Sequence, residues 1–118
     1  MNPRQIESQI HGGVLMGVSF ALYEDRILDR QSGRMLNADL EHYKLAGPCE
    51  MPSIDVFLIE NYQAISATDA CGVAEPATIA TAAAVANAVY NAVGVRIRNL
   101  PMTPASILDV LGRVPGGG

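Results

Sequence analysis

The chain has 118 residues, 49% of them apolar and 17% charged, with a formal net charge of −4. That length supports one small domain, the apolar share is too high for a disordered chain, and an acidic balance without a basic run disfavours nucleic acid and anionic membranes as partners. No stretch approaches the roughly 20 apolar residues that span a bilayer. Met1-Asn2-Pro3-Arg4 does not read as a secretion signal. A cytoplasmic location is therefore expected.

Asn2-Pro3 is a helix start, with Asn as N-cap and Pro at the first helical position. Ile6, Ile10, Val14, Val18 and Leu22 recur every four residues, which predicts an amphipathic helix to about Tyr23. Gly13, Gly17 and Ala21 form a second line at the same spacing. Glycines weaken a helix, so two on one line point to close helix packing, or to a ligand or backbone passing nearby. Residues 24–36 read as a hairpin, with Ile27-Leu28 and Met35-Leu36 flanking the turn Arg30-Gln31-Ser32-Gly33. Pro48 and Pro52 then break the chain. Ile54-Asp55-Val56-Phe57-Leu58-Ile59 predicts a strand buried on both faces.

Residues 61–74 form a long connection, a common place for functional groups. Glu75-Pro76 opens an alanine-rich helix to about Val93, with Gly94 as its C′ residue. Val95-Arg96-Ile97 is a candidate short strand. Thr103-Pro104 opens a last helix to Leu111, which Gly112 ends. The tail from Val114 to Gly118 is expected to be flexible. The order (helix, hairpin, strand, two helices) is α+β rather than a βαβ succession.

Cys49 and Cys71 are not a CxxC pair, and with His11 and His42 they do not make the usual zinc set, so reduced thiols and no metal site are expected. Three features bear on chemistry. Glu75 either caps its helix or serves as a base held at a helix start. Gln9, beside Gly12 and Gly13, either faces solvent or grips a polar cofactor with its amide. Arg96 and Arg98 either pair with a neighbour's carboxylates or meet solvent.

Taken together, these segments resemble a known family. QIHGGVLMG (Gln9–Gly17) is similar to the "GQ-x-EGG-x-x-x-G" helix of the molybdopterin-binding subunit of the xanthine dehydrogenase and aldehyde oxidase family. Tyr23-Glu24, then Gly33 to Asn37 and DLEHYKL (Asp39–Leu45), resemble its "E…GR-x-LN…DYK" stretch. Met51 to Ile54 resembles its "P-x-I" lead into a strand. CGVAEP (Cys71–Pro76) resembles "KG-x-GEP", and Ala84 to Pro104 its closing "AIANA…A-x-G-x-R-x-x-x-LP-x-TP" run. The resemblance covers nearly the whole chain and matches the family's C-terminal part. Cys71 stands in place of Lys, Ala74 in place of Gly, His11 in place of Glu and Ser8 in place of Gly.

The resemblance implies oxidation of an aldehyde or aromatic N-heterocycle with oxygen from water. It implies a molybdopterin cofactor, in bacteria often the cytosine dinucleotide form, with Glu75 as base at the molybdenum-bound hydroxyl. Gln9, Gly12, Gly13, Gly72, Val73 and Ala74 would line the cofactor. Residues 1–113 would then be a fragment or small subunit equivalent to the C-terminal part of a molybdopterin-binding domain. It would be inactive alone and would need a larger molybdenum-binding subunit, with iron–sulfur and FAD centres on partner subunits. The alternative is a non-catalytic assembly module, or a split-gene remnant, that docks a partner subunit.

Overall fold

The computed structural model describes residues 2–59, 67 and 72–113. Its elements are α1 (Pro3–Leu22), a 3₁₀ turn (Pro48–Glu50), α2 (Pro76–Ile79), α3 (Thr81–Val93) and α4 (Pro104–Arg113). The α1 start follows from local chemistry. Pro3 occupies the first turn and the Asn2 side chain accepts from the Gln5 backbone N–H at 3.4 Å. Tyr23 is its C-cap.

The buried face of α1 is not the aliphatic stripe. Ile6, Ile10, Val14, Val18 and Leu22 are half-buried, whereas Gly13, Gly17, Ser19 and Ala21 are buried. Small residues won this face because α2 and α3 pack directly onto it. A Cβ on Gly13 would stand 2.8 Å from Ala77 Cβ, and one on Gly17 would overlap the Thr81 side chain. Of the two sequence readings of these glycines, close helix packing holds.

The predicted helix from Glu75 to Val93 is interrupted at Ala80 and becomes α2 and α3. The Thr81 hydroxyl donates to the Ala77 carbonyl at 2.9 Å, a local bond that competes with regular helix continuation. Gly94 ends α3 in the left-handed region (φ 72°), its N–H bonded to the Tyr90 carbonyl at 2.8 Å. At α4, Thr103 Oγ1 accepts from the Ser106 N–H at 3.2 Å. The helix runs through Gly112 to Arg113, two residues past its expected end.

β structure is sparse among the described residues. The hairpin of 24–36 is present as one antiparallel bridge, Leu28 to Met35. The Gly33 N–H reaches the Asp29 carbonyl and the Leu36 N–H the Ile27 carbonyl, both at 2.8 Å. Asn37, buried, staples it, accepting from the Ile27 N–H at 3.0 Å and donating to the Asp25 carbonyl at 2.7 Å.

The expected strand at 54–59 is not formed and not buried. Phe57 is 89% exposed and Ile59 83% exposed. No other described strand lies beside it to pair with. Residues 95–97 are likewise not a strand. Among the described residues the fold is thus mainly helical with little strand, so the β half of the α+β expectation is present only as the Leu28–Met35 bridge.

The core is small. Ala21 (0% exposed) and Met102 (1%) are its buried apolar residues among those described, and they meet through a 2.7 Å bond from the Met102 N–H to the Ala21 carbonyl. Large apolar side chains from Met16 to Leu111 are exposed. No described helix is long and apolar enough to cross a membrane.

Candidate functional site

The contact of α1 with the α2–α3 segment bears on where the predicted site residues lie. Because Gly13 meets Ala77 and Gly17 meets Thr81, the two segments run in the same direction. Gln9 lies one turn before Gly13 on the same face of α1. The turn that leads into α2, Val73-Ala74-Glu75, precedes Ala77 on the other side. The glycine line therefore brings the end of α1 that carries Gln9 to the end of α2 that carries Glu75.

Glu75 is exposed and sits at the N-cap of α2 with φ −82° and ψ −35°. Its side chain makes no capping bond, and the local tie is its carbonyl, which accepts from the Thr78 N–H at 2.9 Å. The carboxylate makes no hydrogen bond among the described residues, so the capping role weighed from sequence is not the one it plays. The helix-start field expected there is also weakened, because α2 is a single turn of four residues.

Gln9 is exposed, and Gly12 is exposed with open space where a Cβ would stand. Gly13 is buried under α2 and is a packing residue, which leaves it little surface for a cofactor. Gly72 is exposed with open space around it, Val73 is half-buried and Ala74 exposed. Cys71 lies outside the described residues, and Cys49 is an exposed free thiol. Among the described residues, Arg96 pairs with no carboxylate but does not stand free. Its guanidinium donates to Asn87 Oδ1 at 2.8 Å and lies 4.3 Å from the Tyr90 ring centroid, fastening the loop after α3 to that helix. Arg98 is exposed.

The family-like segment 39–50 is tied to the end of α1. The Tyr43 hydroxyl donates to Glu24 at 2.9 Å, which raises its pKa. Lys44 lies 5.6 Å from the Tyr23 ring centroid and bonds Glu50 at 3.3 Å. Glu50 also accepts from the Gly47 N–H at 2.8 Å, the largest cause of its lowered pKa. Sequence reasoning gave these residues no role, although Glu24, Tyr43 and Lys44 fall in the "E…DYK" match.

An open depression of about 380 Å³ lies between Arg26, Met35, Asn37, Asp39, Leu40 and Tyr43, and it contains no predicted site residue. Asp39, Glu41 and His42 cluster nearby, all exposed. Asp39 Oδ1 is already taken up by its own turn, accepting from the backbone N–H groups of Glu41 (3.0 Å) and His42 (2.9 Å) and contacting His42 Nδ1 (2.8 Å).

Residues 1–52 match the model of a molybdopterin cofactor-binding domain. The chain is 38% identical over 109 residues to the xanthine dehydrogenase molybdenum-binding subunit of Escherichia coli O157:H7, covering 92% of this chain and 14% of that one. It is 36% identical over 112 residues to the aldehyde oxidoreductase molybdenum-binding subunit PaoC of Escherichia coli K12, covering 94% and 15%. The fold superposes on quinoline 2-oxidoreductase from Pseudomonas putida 86 with a TM-score of 0.87 and 28% identity, over 97% of this chain and 15% of that one.

The class defined is a segment of a molybdopterin-binding domain. The chain belongs to the molybdenum-binding subunit family of xanthine dehydrogenase and aldehyde oxidoreductase enzymes. It spans about one seventh of the length of these relatives, 14% and 15% respectively.

Proposed function

We propose that this chain supplies the catalytic base and part of the cofactor wall of a molybdenum hydroxylase, within an assembly that includes a larger molybdenum-binding polypeptide. The substrate class is an aldehyde or an aromatic N-heterocycle. The observation that carries the reading is the uncapped, exposed Glu75 carboxylate at the end of α2, which Gly13 and Gly17 dock beside the Gln9 end of α1.

The residues fit a polar pterin. Gln9 offers an exposed amide that both donates and accepts, and the backbone at Gly12 is open to close approach. Gly72, Val73 and Ala74 flank Glu75 and extend that wall. The molybdenum cofactor, when bound, supplies the two-electron oxidation and activates water. Glu75 accepts the proton that this activation releases, at its carboxylate oxygen, and returns it to solvent through its exposed side. Gln9 holds the cofactor's polar edge. The cytosine dinucleotide form, and iron–sulfur and FAD partner subunits as electron acceptors, complete the proposal. Residues 1–113 act as one structural unit within the assembly.

Glu75→Gln in the assembled, molybdenum-loaded complex tests the reading. It is expected to lower kcat by roughly 10²–10⁴-fold with molybdenum content unchanged. Unchanged turnover would refute it.

A further inference from the structure

Two exposed apolar side chains lie beyond the polar residues of the candidate site. On α1, Gln9, Gly12 and Met16 share one face. Gln9 is exposed, a Cβ on Gly12 would meet nothing within 4 Å, and Met16 is 57% exposed. The neighbouring line, Gly13 and Gly17, is covered by Ala77, Thr78 and Thr81. Helical side chains lean back toward the helix N-terminus, so Met16 reaches toward the turn that holds Gly12. It borders the open space there without filling it.

The α2 turn repeats this order. Ile79 follows Glu75 by one helical turn on the same side, and it is 77% exposed. Ala77 meets Gly13 and Thr81 meets Gly17, so Ile79 lies between the levels of those two glycines, as Met16 does. The polar residues Gln9 and Glu75 thus lie toward one end of the paired segments, and the apolar residues Met16 and Ile79 follow them.

We propose that Met16 and Ile79 form an apolar wall at the substrate end of the cleft. They select, within the substrate class of the proposed function, compounds that carry an apolar ring or chain on the reacting carbon. The inference rests on that function and adds its specificity determinants. Gln9 suits the hydrogen-bonding edge of a pterin, which leaves the apolar end for the body of the substrate. A methionine thioether adapts its shape to a flat ring and makes favourable contacts with it. Such contacts are made equally in ground state and transition state, so their loss raises KM and leaves kcat in place.

The test uses the assembled, molybdenum-loaded complex carrying Met16→Gln, Met16→Leu or Ile79→Thr. Each is assayed on benzaldehyde against acetaldehyde, and on quinoline against pyrimidine. Within a pair that the parent turns over, Met16→Gln and Ile79→Thr should each raise KM for the larger, apolar member by about 10-fold or more. The KM of the smaller member, and kcat for both, should change by less than about twofold, with molybdenum content unchanged. Met16→Leu, apolar and of similar volume, should keep the parent's KM values.

A KM that shifts equally for both members of a pair, or for neither, in either polar variant would overturn the proposal. So would loss of molybdenum or of assembly in those variants, which would make the two side chains packing residues. A parent that oxidises neither pair would overturn this wall and the proposed function together. Lost discrimination in Met16→Gln and Ile79→Thr, beside a Glu75→Gln complex that turns over like the parent, would sink the proposed base and leave the wall standing. An inactive Glu75→Gln complex, beside Met16 and Ile79 variants that match the parent, would do the reverse.

Discussion

Gly17 and Thr81 are in direct contact: a Cβ on Gly17 would overlap the Thr81 side chain. That contact holds the start of α3 against α1, and one turn earlier Gly13 and Ala77 do the same for α2, which together set the placement of Glu75.

Gly17→Ala is expected to destabilise the chain by about 1–3 kcal/mol through overpacking, despite the gain of up to roughly 1 kcal/mol in helix propensity. Gly12→Ala in the same helix is the control, since it meets open space and should raise stability by about 0.5–1 kcal/mol. Urea denaturation of the two variants, compared with the parent, checks the difference in sign.

Met102→Ala is expected to cost about 2–5 kcal/mol, because Met102 is the largest fully buried side chain among the described residues and lies where the loop before α4 meets the end of α1. Thermal denaturation measures it. A change under about 0.5 kcal/mol, typical of a surface site, would mean that this core does not hold the segment.

Asn37→Ala removes the acceptor of the Ile27 N–H and the donor to the Asp25 carbonyl together. Leaving such groups unpaired costs about 1–3 kcal/mol. Local hydrogen exchange in residues 25–36 should accelerate, while α3 remains as protected as in the parent.

Glu50 gives an acid-side prediction. The Gly47 N–H and then Lys44 hold its carboxyl below the ordinary 4.5. A depressed folded-state value means that the ionised form stabilises the fold. The contribution is present above the unfolded value and is lost as pH falls through the folded one. A carboxyl carbon NMR titration should therefore place Glu50 below 4.5, with the Gly47 amide shift following the same curve. In Lys44→Met the midpoint should rise but stay below the ordinary value, because the Gly47 bond remains.

Local signals were legible in the sequence. Asn2-Pro3, Thr103-Pro104 and Gly94 each act through bonds within four residues, and each lies where the spacing put it. The buried face of α1 was not legible, because its choice depends on Ala77 and Thr81, about sixty residues away. The break at Ala80 arises from a side-chain bond that periodicity does not register. The strand at 54–59 was misjudged for a different reason: composition reports the preference to pair, and no strand lies beside it among the described residues. For the site, spacing placed Glu75 before a helix, and its freedom from capping emerged only with the coordinates. The loop around Thr68, Asp69 and Cys71, and the tail 114–118, lie outside the described residues.

The most direct measurement is the structure of the assembled complex with molybdenum located by anomalous scattering. The account predicts the Glu75 carboxylate within hydrogen-bond reach, directly or through one water, of the metal's ligand shell, with the Gln9 amide on the pterin. A Glu75 side chain directed into bulk solvent away from the metal would contradict it.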